Sequence, residues 1–296
     1  MRHVEPYPYV FQMRMKPVWA GCTLLDLYVE RFPYYSVNHW KTQIEKGNLR
    51  VNGKAVGGDT VPRAGDLIEH LMELREEPPV PSNIEILFES NDLLVVFKPA
   101  PMAVHPSGRF HKNSLIYILE ERGYKGLYLT HRLDLLTSGI VVLAKNVETA
   151  TRFSKAFEEG LVQKKYLARV EGEFWPEIVV CAPIRRARGL LFECHAQGRE
   201  AVTEFTRKSF DGEYSVVECR PLTGRTHQIR LHLAACGFPI CDDPYYNPGV
   251  TVGAVDFSSA GAPISLLACE YRFEDMVFAL PAHRCCLVAW GACFEA

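Results

Sequence analysis

A short run of charge and proline divides the chain into two unequal parts. It reads Glu-Glu-Pro-Pro-Val-Pro at residues 76–81, where the prolines stop any helix and hold the backbone extended. The sequence therefore predicts an N-terminal domain at 1–75, a linker at 76–82, a larger domain at 83–280 and a C-terminal tail at 281–296. With 296 residues, 48% of them hydrophobic, the chain is long enough for one substantial core and a small second domain.

Composition narrows the class of protein further. The ten cysteines are scattered without a Cys-x-x-Cys pair, which is typical of reduced thiols in an intracellular protein. The N-terminus lacks the apolar core of a signal peptide, and the longest uncharged apolar stretch, residues 285–294, is too short to cross a bilayer. We therefore expect a cytoplasmic protein without a membrane span, while the sequence leaves the nucleus and organelles open.

The N-terminal part combines helix-like and hairpin-like patterns. Residues 24–29 and 37–44 have the apolar spacing of helices, and Asn52-Gly53 predicts a tight hairpin turn. Basic residues outnumber acidic ones between positions 31 and 54. Two short helices and a small hairpin with basic residues between them resemble the S4 RNA-binding domain.

The larger part has an α+β pattern. Runs at 93–97, 140–143, 166–170 and 214–219 predict strands, and 203–210 with 214–220 predict an antiparallel hairpin around Asp211-Gly212. Asn146 predicts the N-cap of a helix to residue 159, Asn113 that of a helix at 115–122, and residues 226–236 a third helix.

One segment stands out as a candidate for chemistry. Residues 131–139 read His-Arg-Leu-Asp-Leu-Leu-Thr-Ser-Gly and lead into the apolar run at 140–143. An aspartate in a loop that enters a buried strand is held rigidly and can still face a cleft. From the residues alone, Asp134 is more simply explained as a structural ion pair at a strand end than as a catalytic group.

This segment matches the His-Arg-Leu-Asp-x-x-Thr-Ser-Gly signature of RluA-type pseudouridine synthases, and three other segments match in the family's order. They are residues 98–106, 165–172 and 223–233, the last followed by Gly237-Phe238-Pro239-Ile240. The resemblance implies the pseudouridine synthase fold, with a mixed, mainly antiparallel central sheet and flanking helices, here preceded by the S4-like domain. Residues 104–111 and 220–225 resemble the eukaryotic branch that includes synthases of the tRNA anticodon stem-loop. Cys241-Asp242 stands where the family usually has Gly-Asp.

The resemblance also implies roles for three residues. Asp134 would be the catalytic carboxylate, as a nucleophile at C1′ or as the base that removes a sugar proton. Arg225 would pair with it and lower its pKa, and Tyr166 would stack on the uracil. Without the resemblance, Arg225 fits an ordinary surface arginine and Tyr166 a core residue. Arg132 fits equally well as a replacement for the extruded base and as a phosphate ligand.

The remaining candidates are assigned to substrate or RNA binding. They are His131, Arg132, Thr137, Lys98, His105, Arg109, Lys165, His227 and Arg230. The histidines lack the spacing of helical zinc sites. The rearrangement of uridine to pseudouridine that the resemblance implies involves no net oxidation or reduction. We therefore predict neither metal nor cofactor.

The resemblance implies an isomerase that converts uridine to pseudouridine in structured RNA, with tRNA the favoured substrate, and we expect a monomer. The alternatives are an rRNA-directed synthase and a non-catalytic RNA-binding protein of the same fold. A third, a metal-dependent phosphodiesterase that uses His131 and Asp134, predicts chain cleavage that a chelator abolishes.

Overall fold

The computed structural model describes residues 1–247 and 261–285. Its helices are α1 (Leu24–Arg31), α2 (Val37–Glu45), α3 (Leu115–Glu121), α4 (Val147–Glu158) and α5 (Gln228–Ala235). Its strands are β1 (Tyr7–Arg14), β2 (Leu49–Val51), β3 (Lys54–Ala55), β4 (Leu67–Arg75), β5 (Glu85–Glu89), β6 (Leu93–Lys98), β7 (Tyr128–Leu129), β8 (Ser138–Ala144), β9 (Gln163–Glu171), β10 (Glu177–Cys181), β11 (Ile184–Arg188), β12 (Leu191–Cys194), β13 (Val202–Phe210), β14 (Tyr214–Pro221), β15 (Leu266–Phe273) and β16 (Met276–Ala279). Within these ranges, no helix is both long and apolar enough to span a membrane.

The N-terminal part forms an antiparallel sheet of its own. The strand order is β1-β4-β2-β3, and α1 and α2 pack with the sheet around Tyr28, Trp40 and Ile68. Asn52 and Gly53 have φ of 52° and 79°, as the predicted two-residue turn between β2 and β3 requires. Both predicted helices and the hairpin are therefore confirmed, while the S4 likeness of this unit stays a prediction.

The larger part is built on a ten-stranded sheet. Along its path the order is β10-β13-β14-β9-β15-β8-β6-β5, and β16 and β7 extend it beside β15 and β8. The pair of β15 with β8 is parallel and the other strand pairs are antiparallel. Every residue of β6 and β8 is buried, as expected for the centre of a sheet with both faces covered. The predicted mixed, mainly antiparallel sheet is confirmed.

The helices flank this sheet, with one cap differing from expectation. The Asn146 side chain accepts a hydrogen bond from the Thr149 N–H at 2.8 Å and caps α4 as predicted. The N-cap of α3 is Ser114 rather than Asn113, because the Asn113 amide is used elsewhere and donates to the Pro78 carbonyl at 2.8 Å. Helix α5 begins two residues later than predicted, at Gln228.

A separate two-stranded hairpin of β11 and β12 projects beside the large sheet. This hairpin was not predicted, and neither were β1, β4, β5, β7, β10, β15 and β16. Residues 76–82 connect the two parts. The predicted domain boundaries at 75/76, 82/83 and 280/281 stay a prediction. Residues 286–296 of the expected tail lie outside the described part of the chain.

Candidate active site

The loop before β8 holds Asp134 in a defined position. The Thr137 N–H donates to the Asp134 carbonyl at 3.2 Å and closes a turn, and the Met102 N–H donates to the Leu135 carbonyl at 2.9 Å. The loop is therefore tied both to itself and to the segment that follows β6. Because its backbone bonds are made within the protein, the Asp134 side chain is rigidly presented.

Asp134 faces a cavity of about 430 Å³. Most of the predicted site residues line it, namely His131, Arg132, Asp134, Thr137, Tyr166, Arg225, His227 and Arg230. The segments that bring them together are the 131–137 loop, β9 and the start of α5. A volume of this size lies within the range of small-ligand sites.

The cation that pairs with Asp134 is Arg230. Its Nη1 lies 3.7 Å from Asp134 Oδ2, and its Nε and Nη2 each donate to the Asp243 carboxylate at 2.7 Å. Arg230 and Asp243 are almost completely buried, so the two-point bond holds the guanidinium in one orientation. Asp243 thereby aims the remaining nitrogen of Arg230 at Asp134.

The predicted pairing of Arg225 with Asp134 is wrong in this geometry. Arg225 lines the cavity but donates from Nε to the Glu200 carbonyl at 2.8 Å. It lies before α5, whereas Arg230 lies inside that helix and projects into the interior. Lys164 also lines the cavity, and its pKa is lowered to about 8, first by burial and then by the charge of Arg225. Lys164 and Arg225 thus form a basic rim rather than the inner ion pair.

The surroundings of Asp134 favour its ionised form. Burial alone raises the pKa of this carboxyl, but His227, Arg230, Arg132 and Lys98 outweigh it and hold the pKa below 3.8. Burial also lowers the pKa of His227 to about 4, so that imidazole is uncharged at neutral pH. Of the two arginines that act on Asp134, Arg230 is the one within ion-pair distance of the carboxylate, and its charge persists at neutral pH.

His227 has a conformation that a non-glycine residue rarely adopts. Its φ is 58° and it immediately precedes α5. Its Nδ1 lies 2.6 Å from the Tyr246 hydroxyl and its Nε2 lies 3.9 Å from Asp134 Oδ2. The left-handed turn therefore places the imidazole between a tyrosine and the carboxylate, at an energetic cost that surrounding contacts must offset.

Tyr166 lies on β9 and lines the same cavity. Its hydroxyl is 3.0 Å from that of Tyr271 on β15, and burial raises its pKa well above the usual range. The hydroxyl therefore stays protonated, and the bond to Tyr271 sets the direction of the ring.

Residues 92–235 match the family described as RNA pseudouridylate synthase. The chain is 39% identical over 253 residues to the human pseudouridylate synthase RPUSD2, covering 83% of this chain and 46% of that protein. It is 36% identical over 255 residues to the mitochondrial tRNA pseudouridine(32) synthase of Saccharomyces cerevisiae, with coverages of 83% and 55%. It is 31% identical over 298 residues to the tRNA pseudouridine(31) synthase of the same yeast, with coverages of 85% and 73%. The chain belongs to the RluA-type RNA pseudouridine synthases.

The fold agrees with this membership. Human RNA pseudouridylate synthase domain containing 1 superposes with a TM-score of 0.56 at 28% identity, over 69% of this chain and 86% of that one. The predicted pseudouridine synthase fold is confirmed. The chain spans about half the length of the human and mitochondrial relatives that it matches.

Two candidates that line the cavity, His131 and Thr137, differ in their contacts within the protein. His131 stacks on Phe157 with centroids 4.2 Å apart and accepts the Val142 N–H at 2.9 Å. Burial lowers its pKa to about 3, so it is a neutral side chain that braces β8. The buried Thr137 hydroxyl has no hydrogen-bond partner among the described residues.

The other four candidates do not line the cavity. Lys98 is fully buried beneath the loop and donates to the Met102 carbonyl at 2.9 Å, and burial lowers its pKa to about 7. Lys165 follows Lys164 on β9 and pairs with Glu270 at 3.1 Å. His105 is half-buried, and Arg109 lies beside the aromatic residues of the N-terminal unit.

Asp243 and Tyr271 are site residues that the sequence did not reveal. Asp242 has φ of 65°, a conformation that glycine favours, and Asp243 supplies the carboxylate for Arg230. Because Asp242 has the conformation that glycine favours, Asp242-Asp243 fits the family's Gly-Asp pattern better than Cys241-Asp242 does. That one-residue shift is the signal that could have found Asp243.

Proposed function

We propose that the chain catalyses the isomerisation of uridine to pseudouridine in structured RNA, with Asp134 as the catalytic carboxylate. The observation that supports it is the Asp134 side chain, open to a cavity and 3.7 Å from a buried guanidinium. The pKa of Asp134 lies below its ordinary value, as a nucleophile or base that works at neutral pH requires. Membership in the pseudouridine synthase family supports the same reaction.

The reaction conserves atoms and electrons. The bond from N1 to C1′ breaks, the uracil turns, and a bond from C5 to C1′ forms. The C5 proton leaves to water and N1 gains a proton. Asp134 serves either by bonding to C1′ and being displaced by C5, or by removing and returning the C2′ proton, and the same position beside Arg230 suits both routes.

The target uridine must leave its helical stack to reach this carboxylate, at a cost of a few kcal/mol. Stacking of the uracil on the Tyr166 ring would return roughly 1–3 kcal/mol. Arg132, exposed at the mouth of the cavity, is suited to fill the gap that the extruded base leaves or to bind a phosphate. Lys164 and Arg225 add positive charge on another part of the rim, which favours a polyanion.

We further propose tRNA as the substrate, because two of the matched relatives carry tRNA in their names. The N-terminal unit, if S4-like in function, supplies a second contact with the RNA. One chain forms the described cavity, which supports action as a monomer. We place the activity in the cytoplasm, and the name of the mitochondrial relative makes an organelle the alternative that cell fractionation would detect.

The test is release of tritium from RNA labelled at C5 of uridine. The wild type should release tritium from a tRNA transcript, and Asp134→Asn should lower the rate at least a thousandfold. Asp242→Asn is the matched control, since that exposed aspartate lies outside the cavity lining. Equal rates for Asp134→Asn and the wild type would remove Asp134 from catalysis. No release by the wild type would favour a non-catalytic RNA-binding protein, and chelator-sensitive chain cleavage would favour a phosphodiesterase.

A further inference from the structure

A second cleft separates the N-terminal unit from the β11–β12 hairpin. Its volume is about 280 Å³, and its lining includes Trp19 and Arg31 from the N-terminal unit and Arg186 and Gly189 from the hairpin. The two parts approach closely here, since a Cβ added to Gly189 would lie 3.4 Å from Cγ of Pro33. The cleft is therefore a junction between two parts of the chain.

The two arginines of this cleft point to an anionic ligand. The Arg31 guanidinium lies over the Trp19 ring, 4.0 Å from its centroid, and its buried Nε has no hydrogen-bond partner among the described residues. In the part of the chain that the structure describes, neither Arg31 nor Arg186 forms an ion pair with a carboxylate, although the exposed Glu30 also lines the cleft.

Arg31 and Arg186 repel each other, and the charge of Glu30 offsets this repulsion only in part. Burial, and then the charge of Arg186, lower the pKa of Arg31. Like charges that converge on one cleft repel each other, whereas a phosphate between them would accept hydrogen bonds from both. The Trp19 ring already orients Arg31, so less conformational entropy would be lost on binding.

The hairpin connects this cleft to the cavity of Asp134. Arg186 is paired in register with Phe192 across the hairpin, and its guanidinium lies 5.8 Å from the Phe192 ring centroid. That ring makes an edge-on contact with His227 at 5.5 Å, and the Phe192 N–H donates to the Tyr246 hydroxyl at 3.2 Å. The β11–β12 hairpin therefore contacts residues of both sites, Arg186 in the cleft and His227 in the cavity of Asp134.

We propose that Arg31 and Arg186 together bind one backbone phosphate of the RNA substrate in this cleft. The inference rests on the proposed function, because it takes the RNA to be the molecule that enters the neighbouring cavity. The ligand is a phosphodiester of the RNA backbone, so the contact sets affinity and register without reading a base. The site joins the N-terminal unit to the catalytic part through the substrate.

The experiment measures binding of a fluorescent tRNA transcript to the full chain over a fourfold range of KCl concentration. Each phosphate contact contributes a slope in log affinity against log salt of about −0.7 on a single strand and about −0.9 on a DNA duplex, which is roughly 2.6- to 3.5-fold over that range. Arg31→Gln and Arg186→Gln should each weaken binding about three- to tenfold and reduce the slope by about one. Because both would bind the same phosphate, the double variant should lose less than the product of the single losses.

Arg63→Gln is the matched control, because Arg63 is exposed on the N-terminal unit and lies outside the cleft. It should change affinity less than about twofold, and thermal melting should show that all variants are folded. The proposal is overturned if the cleft variants behave like Arg63→Gln, or if the double variant loses the full product and its slope falls by two. It is also overturned if heparin binding falls as much as tRNA binding, since a general polyanion effect needs no RNA site.

Failure of this site and failure of the proposed function give different results. If the wild type binds the transcript with the predicted arginine dependence but releases no tritium from C5-labelled uridine, the phosphate site stands and the isomerase activity falls. If the wild type releases tritium while the cleft variants bind the transcript normally, the isomerase activity is supported and the phosphate site is refuted.

Discussion

At the scale of single residues, two arginines of one motif have different environments. Arg230 is buried and holds two carboxylates, Asp243 by two hydrogen bonds and Asp134 at 3.7 Å. Arg225 is partly exposed and bonds to a backbone carbonyl. Removal of one partner from a buried pair leaves the other charge uncompensated, which costs more than the pair itself contributes.

We therefore expect Arg230→Gln to lower the free energy of unfolding by about 3–5 kcal/mol and Arg225→Gln by less than about 1 kcal/mol. Urea denaturation followed by tryptophan fluorescence measures both changes at one pH. Equal losses for the two variants would mean that Arg230 is not the buried anchor of this site.

At the scale of elements, the contact between β8 and β15 depends on a glycine. Gly139 pairs with Ala268 in the parallel register. Its φ is 129°, and a Cβ there would lie 2.3 Å from the Ala268 carbonyl oxygen. Neither strand can move aside easily, since β8 is buried along its whole length and lies between β6 and β15. The Asp134 loop enters the sheet at this contact.

Gly139→Ala should therefore destabilise the protein by at least about 3 kcal/mol, the sum of backbone strain and overpacking. Gly212→Ala is the control for strain alone, because Gly212 has φ of 102° with no atom within 4 Å of an added Cβ. Thermal melting of the two variants separates the contributions. Equal melting temperatures for Gly139→Ala and Gly212→Ala would refute the close-packing explanation.

Several of these elements could be predicted from local sequence. The runs that form β6, β8, β9 and β14 are apolar and bounded by turn residues, and Asn52-Gly53 and Asn146 act on backbone groups a few residues away. The β11–β12 hairpin was missed because Ile184–Arg188 carries three arginines, and its position depends on contacts with Tyr246 and the end of α1.

At the scale of the whole molecule, one buried carboxylate ties the connecting segment to the catalytic part. Glu77 accepts hydrogen bonds from the backbone N–H groups of His111, Lys112 and Asn113 at 2.8–2.9 Å, and from the Tyr7 hydroxyl. Burial raises the pKa of this carboxyl, but these bonds outweigh burial and the pKa lies below its ordinary 4.5. The segment predicted as a linker is thus anchored at both units.

A carboxyl whose pKa is lower in the folded state stabilises the protein above its unfolded pKa, and this contribution disappears as the pH falls through the folded pKa. Glu77→Gln should therefore cost on the order of 2–3 kcal/mol at pH 7, with the gap to the wild type narrowing below about pH 4.5. Urea midpoints between pH 7 and pH 3.5 measure the gap. The exposed neighbour Glu76, changed to Gln, is the control, and a gap that does not change with pH would contradict the anchor.

Local periodicity and residues close together in the chain are enough to predict the α+β class, the family motifs and the position of Asp134 at the entrance to a buried strand. They do not predict which cation lies beside Asp134. Arg225 and Arg230 are five positions apart in one motif, and spacing cannot tell which is buried. The left-handed His227 and the start of α5 turn Arg230 inward, where Asp243, from a separate loop, fixes it. Long-range contacts such as this one, or that of Tyr166 with Tyr271, arise from sheet order and burial, which no local pattern encodes.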